Sequence, residues 1–434
     1  MEIKKGQKQI NKTGRIRHFM QLKMPAGYDK VIHACIIILL IFGSVMVVST
    51  SVGDSATDHF VVYRTIIKQI IFVALSYFLM DKAALHYAEI YANRKGYTNM
   101  MKLIAIAIIL MLAACQLFPG ANGSKAWIYI PGTGTSLQPS EFAKTYYIIL
   151  FGATASYYLN QVRVKHKHIT FWDYMKYPLI CFLIFIVLIA AQPDFGTIVV
   201  LTLIAGALFL IPRNASLTKS QVFMRVLFIL LFILIVFLMS KAGMAVLEKF
   251  LSDYKLKRFT DAANPFKNIY DTGYNLVYSL YAIANGGLTG LGIGASEQKF
   301  GYLPEAQTDF ILSVTIEELG IWGLLIIVVC YGFIIYRLIY WAMHSQNDGF
   351  RVILVGCALY LGIHFILNVG GVSGLIPLTG VPLLFMSAGG SSLLSIMILL
   401  GVCQSVISKI RMNRNQYNRD GLIDQKRMRE RGML

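Results

Sequence analysis

An aspartate stands where a loop gives way to an apolar run: Gly301-Tyr302-Leu303-Pro304-Glu305-Ala306-Gln307-Thr308-Asp309-Phe310, continuing to Glu317-Glu318-Leu319-Gly320. Gly301 and Pro304 break the chain before Thr308, and a helix is expected to begin with Asp309 in its first turn. A short oxygen side chain there accepts orphan backbone N–H groups, so Thr308 or Asp309 reads as a cap. The other chemistry open to such an acid is general base catalysis, in which a carboxylate takes the proton of an attacking hydroxyl. Glu305, four residues earlier in the loop, is a second acid that competes for that role.

Other polar stretches interrupt apolar sequence. In Gln138-Pro139-Ser140-Glu141-Phe142-Ala143-Lys144, proline and serine mark a helix start, and Glu141 and Lys144 fall on one face at i, i+3. They read either as a structural pair or as a polar patch facing substrate. Gln192-Pro193-Asp194-Phe195-Gly196-Thr197 is a tight turn in which Asp194 can cap the following helix. The run Gly286-Gly287-Leu288-Thr289-Gly290-Leu291-Gly292-Ile293-Gly294 lacks the Lys-Ser/Thr ending of a nucleotide loop. What remains for it is a backbone that fits closely around a lipid pyrophosphate. Between Asn368 and Ser392 come Pro377, Gly380 and Pro382, then Ser387-Ala388-Gly389-Gly390-Ser391-Ser392. Small residues let helices approach closely in lipid, and a broken backbone at membrane depth must line a cavity or be buried in protein. His166-Lys167-His168 has no third metal ligand and reads as a solvated loop.

The chain that positions these groups is built for lipid. Of its 434 residues 56% are hydrophobic and 14% charged, against about 25% charged in a soluble domain. Apolar runs at roughly 31–50, 62–80, 101–117, 139–158, 177–192, 196–212, 223–243, 308–336, 351–372 and 383–408 predict an all-α membrane protein of about ten spans. The net charge of +18 is concentrated at the ends, with eight Lys/Arg in residues 1–30 and eight in 409–434. That placement fits anionic membrane lipid and not nucleic acid. Lys82, Arg94, Lys95, Arg163, Lys165, Lys167, Arg213, Lys219, Arg337 and Arg351 lie at alternate joints, whereas 51–60, 192–195 and 373–382 carry no Lys or Arg. Both termini are therefore expected in the cytoplasm, with a basic segment 1–30, a membrane domain 31–408 and a basic tail 409–434. The loop 244–307, between the seventh and eighth spans, is then a long outer loop. The six cysteines all lie in apolar runs without a C-x-x-C pair and read as core residues.

Taken in order, these pieces resemble the SEDS family of bacterial cell-wall glycosyltransferases, the FtsW/RodA proteins. The matching residues are Gln138 to Glu141 with Lys144; Gln192 to Thr197; Tyr254-Lys255-Leu256-Lys257-Arg258 with Asn264-Pro265; and Gly273-Tyr274. They continue with Gly301 to Glu305, Thr308 to Phe310, Glu317 to Gly320, Asn368, and Gly380 to Ser392. The resemblance implies polymerisation of the lipid-linked disaccharide-pentapeptide (lipid II) at the outer face of the bacterial cytoplasmic membrane, with a class B penicillin-binding protein as the crosslinking partner. It puts the catalytic acid at Asp309 and an important tryptophan at Trp127. This sequence departs from the family where a glutamine is common, at His364, and at Leu384, Ala388 and the Lys125-Ala126-Trp127 stretch.

The chemistry expected of that reaction needs a base for the attacking sugar hydroxyl and cations for the departing pyrophosphate. Asp309 is the expected base. Lys255, Lys257 and Arg258 are the expected cations, with Lys125 and Lys144 behind them; their bland reading is a solvated basic edge. Trp127, Ser140, Glu141, Glu305, Asn368 and Ser387 complete the expected substrate-binding set. A divalent cation at the pyrophosphate is chemically reasonable, although no ligand set is readable. A lipid II flippase and a non-catalytic scaffold of the cell-wall machinery are the competing readings.

Overall fold

The computed structural model describes residues 22–53, 60–120, 124–132, 134–165, 170–212, 217–238, 240, 243, 264–269 and 273–430. Lys255, Lys257, Arg258 and the His166–His168 stretch lie outside the described residues. The helices in chain order are α1 Lys30–Ser51, α2 Val61–Ala92, α3 Arg94–Ala114, α4 Pro139–Lys165, α5 Phe171–Ala190, α6 Phe195–Phe209 and α7 Thr218–Leu238. Then follow α8 Tyr274–Gly286, α9 Ile311–Met343, α10 Asp348–Val372 and α11 Gly390–Glu430. A short antiparallel hairpin, β1 Ile128–Ile130 with β2 Thr135–Leu137, sits in the first long loop.

Among the described residues, eight helices are long and apolar enough to cross a membrane: α1, α2, α3, α5, α7, α9, α10 and α11. The ten expected runs also counted α4, which carries Glu141 and Lys144, and the 15-residue α6. Apolar side chains that face outward, such as Ile41, Ile70, Leu103, Val187 and Ile366, are what lipid requires of such a bundle. The cysteines are free, and five of the six are buried.

Small residues set the close approaches between helices. A side chain at Gly43 of α1 would meet the Phe385 carbonyl, and one at Gly401 of α11 would meet that of Met80 in α2. Two features went unforeseen. The loop 244–307 contains helix α8, and α9 breaks at Gly320, where φ is +63°. The glycine run explains the break. The N–H groups of Leu291 and Gly292 donate to the Glu317 and Glu318 carbonyls (both 2.9 Å), and the Ile321 N–H donates to the Gly287 carbonyl (3.2 Å). Gly290 and Gly320 lie so close that a side chain at either would strike the other's backbone. The N–H groups of Gly290, Leu291 and Gly292 are thus spent inside the protein, the last two docking the run on the break in α9.

One end of the bundle is closed by Asp29. Its carboxylate caps α1 by accepting from the N–H groups of Val31 (3.0 Å) and Ile32 (3.2 Å). It also accepts from Arg337 Nε (2.8 Å) and Trp341 Nε1 (2.6 Å) of α9. Gln404 of α11 brackets the Asp29 backbone from both sides. Burial alone would push this carboxyl up, but the donors from Arg337, Trp341 and Ile32 outweigh it and hold it below the ordinary carboxylate value. The linked stability is therefore present above about pH 3.9, the unfolded value, and is lost as pH falls through the lower folded one. Asp29→Ala is expected to cost about 3–5 kcal/mol, the usual penalty for breaking a buried pair. A melting curve in detergent that is unchanged by Asp29→Ala would contradict this account.

Candidate active site

Asp309 is half-buried, two residues before α9 begins. The cap expected there is not the arrangement found. The N-cap position falls on Phe310, which makes no side-chain cap hydrogen bond. Thr308 Oγ1 turns back to the Glu305 carboxylate (2.9 Å). Glu305 itself is exposed and has a φ of +58°.

The loop carrying Asp309 is held by its carbonyls. The Gln307 carbonyl accepts from the Ala388 N–H (2.9 Å), that of Thr308 from Ser387 Oγ (2.6 Å), and that of Asp309 from Asn368 Nδ2 (2.9 Å). Three successive peptides are thus tied to α10 and to the broken segment between α10 and α11. Asn368 and Ser387 were expected to meet substrate. Both are buried, and their donors are committed to this clamp.

The broken segment is secured in the same way. Asn368 Nδ2 also donates to the Val381 carbonyl (3.0 Å), and Tyr331 OH donates to that of Leu384 (2.6 Å). Ser387 Oγ accepts from the Leu383 N–H (2.9 Å). The Pro382 carbonyl lies 3.1 Å from His364 Nδ1. Phe385 sits at φ +67°, where a non-glycine residue persists only if its surroundings impose it. Gly380, at φ +67°, faces Asp309, and a side chain there would lie against its carboxylate. The turn at Gly380 thus packs directly beside the acid.

Behind this segment lie Glu141 and Lys144, each only 1% exposed and paired at 2.8 Å. The pair is not self-contained. Glu141 also accepts from Tyr360 OH (2.6 Å), and Lys144 Nζ is 3.1 Å from His364 Nε2. Ser140 is fully buried, and its hydroxyl finds no hydrogen-bond partner among the described residues. Tyr360, His364 and Asn368 recur every four residues, so one face of α10 carries the whole series. That spacing was visible in the sequence. The partners of Tyr360 and His364 were not.

Other expected residues lie apart from this network. Lys125 is exposed and Trp127 half-buried in the loop before β1, tied down where the Lys125 N–H donates to the Gln192 carbonyl (3.1 Å). No hydrogen bond or ion pair joins either side chain to Asp309 among the described residues. Asp194 is the cap it was read as, accepting from the Thr197 N–H (3.1 Å), and it also takes a donor from Gln138 (2.9 Å). Glu317 and Glu318 are fully buried; Glu318 pairs with Lys299 (2.8 Å) and accepts from Ser49 (2.7 Å). This pair braces the segment leading into the Asp309 loop. Among the described residues no three His, Cys, Asp or Glu side chains converge to hold a metal ion.

The architecture and the site define an all-α, multi-pass membrane protein that organises one acid-bearing loop over a buried polar network. Residues 29–412 match the family model of FtsW, RodA and SpoVE, described as cell cycle proteins, and the chain belongs to that family. It is 32% identical over 407 residues to the "Probable peptidoglycan glycosyltransferase FtsW" of Bacillus subtilis strain 168, covering 93% of this chain and 96% of that protein. It is 31% identical to the "Stage V sporulation protein E" of the same organism, over 85% of this chain and 94% of that one. Two solved structures share the fold at 22% identity. One, described as "Structural coordination of polymerization and crosslinking by a peptidoglycan synthase complex", superposes with a TM-score of 0.65 over 89% of this chain and 99% of its own. The Thermus thermophilus rod shape determining protein RodA superposes at 0.54 over 88% and 97%.

The geometry alters what the Glu141–Lys144 pair should tolerate. Were each residue only the other's counterion, exchanging them would be milder than removing one charge. Here Tyr360 donates to position 141, and the His364 ring stands between position 144 and a carbonyl. The exchange Glu141→Lys with Lys144→Glu is therefore expected to abolish activity as fully as either single change. An exchanged protein that works better than both singles would reduce the pair to a simple ion pair.

Proposed function

We propose that this protein is a peptidoglycan glycosyltransferase that polymerises lipid II into glycan strands at the outer face of the bacterial cytoplasmic membrane, in division or elongation. It does so as a protein of about ten spans with both termini in the cytoplasm. The observation that carries the reading is Asp309: an acid at the start of a membrane helix, on a loop whose three successive carbonyls are clamped. Relatives named as peptidoglycan glycosyltransferases match nearly the full chain and support the same activity.

In this reading a sugar hydroxyl attacks the anomeric carbon of a second lipid-linked sugar. Its proton passes to the Asp309 carboxylate as the new C–O bond forms and the bond to the lipid pyrophosphate breaks. The pyrophosphate leaves with its own negative charge, so cations and not an acid assist its departure. Lys255, Lys257 and Arg258 are the residues we assign to that task, with Lys125 at the outer surface. Clamping the loop limits how far the base can drift from its hydroxyl, and a 1 Å error of that kind can cost about 10²-fold in rate.

The partner we assign is a class B penicillin-binding protein that crosslinks the glycan. Support comes from the structural neighbour described as coordinating polymerization and crosslinking.

The test is glycan polymer on a gel, from purified protein with its partner and lipid II. Asp309→Asn keeps size and removes the proton acceptor, so it is expected to lower polymerisation about 10²–10⁴-fold while abundance and partner binding persist. Glu305→Gln is expected to be milder, since Glu305 is exposed at the loop surface. Normal polymer from Asp309→Asn, with none from Glu305→Gln, would move the chemistry to Glu305. Lipid transport that survives Asp309→Asn, with no polymer from any variant, would favour a flippase.

A further inference from the structure

We propose that His364 is a positioning residue for Asp309, acting as a neutral, directional bridge between the buried Glu141–Lys144 pair and the segment that clamps the Asp309 loop. The proposal rests on the reading of Asp309 as base. It adds a residue that never touches substrate.

The bridge follows from what each neighbour can do. His364 is fully buried, with Nε2 at 3.1 Å from Lys144 Nζ and Nδ1 at 3.1 Å from the Pro382 carbonyl. An ammonium only donates and a carbonyl only accepts. A ring held between them must accept at Nε2 and donate at Nδ1, and only the neutral Nδ1–H tautomer does both. The direction of every bond is then set, from Tyr360 to Glu141, from Lys144 to Glu141 and to His364, and from His364 to Pro382.

The next link belongs to the same helix face. Asn368, one turn beyond His364, donates to the carbonyl of Val381, the neighbour of Pro382. The same amide nitrogen reaches the carbonyl of Asp309 (2.9 Å). Two residues of α10 therefore grip adjacent peptides of the broken segment, and one of them also grips the base's own peptide. If the ring is lost, the Lys144 ammonium keeps Glu141 but loses its second acceptor, and the Pro382 carbonyl loses the His364 donor. The 381–382 peptides then lose one of their two anchors. Nothing in this path binds substrate, so the effect belongs on the chemical step and not on affinity.

The substitutions that separate this from mere packing are dictated by donors and acceptors. Glutamine can accept from Lys144 with its oxygen and donate to Pro382 with its nitrogen. Leucine fills volume but does neither. Glutamate has nearly the shape of glutamine and accepts from Lys144, but as a carboxylate it offers no donor to Pro382.

The experiment measures initial polymerisation rates against lipid II concentration for the full-length protein with its partner. It compares the unaltered chain with His364→Leu, His364→Gln, His364→Glu and Asn368→Ala, each at matched abundance. His364→Leu is expected to lower kcat about 10²-fold with KM unchanged, and His364→Gln to recover most of that loss. Combining His364→Leu with Asn368→Ala should do little more harm than the worse single change, because both release one clamp. Should His364→Leu fail to accumulate, the isosteric pair decides, with Gln active and Glu not. A raised KM at normal kcat, or Gln as inactive as Glu, would overturn the proposal. If the unaltered protein makes no polymer, the failure lies with the glycosyltransferase reading itself.

Discussion

A peptide group inside a bilayer has no water to bond, so each must find a partner within the protein. Helices meet that demand internally. The segment between α10 and α11 does not, because Gly374, Pro377, Gly380 and Pro382 prevent a regular helix there. Its carbonyls are supplied instead by side chains from helices packed around it: His364 and Asn368 from α10, and Tyr331 from α9. The segment returns the favour through Ser387 and Ala388, which hold the peptides of Thr308 and Gln307. The irregular backbone and the acid-bearing loop thus complete one another. Neither would keep its shape alone, and the position of Asp309 is a consequence of that exchange.

The same economy explains why charged residues are tolerated deep in this bundle. An ion pair taken out of water repays its desolvation only if further hydrogen bonds satisfy what the pair leaves over. Around Glu141 and Lys144 those are supplied by Tyr360 and His364, and around Glu318 and Lys299 by Ser49 and the Gly294 carbonyl. Each pair ties segments far apart in the sequence. The first joins α4 to α10 beneath the broken segment, and the second joins α1 to α9 and to the loop that leads to Asp309. An unpaired carboxylate or ammonium in either place would carry a penalty of several kcal/mol, which gives both pairs a narrow tolerance to substitution.

Glycine serves the fold at a few positions where nothing else fits. Gly290 and Gly320 allow the glycine-rich loop to dock on a break in α9, with backbone hydrogen bonds passing between them. The N–H groups of Leu291 and Gly292 in that run are used for this docking. Gly380 does a different service, turning the broken segment at a positive φ right beside the Asp309 carboxylate.

What the sequence determined by itself is what lipid and local geometry impose. Apolar runs of spanning length, basic termini, a helix start at Pro139 and a cap at Asp194 follow from solvent preference and nearest-neighbour hydrogen bonds, which need no knowledge of the fold. The candidate acid was legible too, because its type and its place at a loop–helix junction are local facts. Only the tertiary structure decided that Thr308 and Asp309 leave the N-cap position to Phe310, and that Asn368 and Ser387 hold backbone. It alone showed that His364, a mere departure from a family pattern in the sequence, stands between an ammonium and a carbonyl. The reason is physical. A donor's role is set by the acceptor it meets, and here the acceptors lie as many as 220 residues away in the chain. Periodicity shows which face of α10 is polar, but only the packing of α4, α9 and the broken segment against that face shows what its polar groups hold.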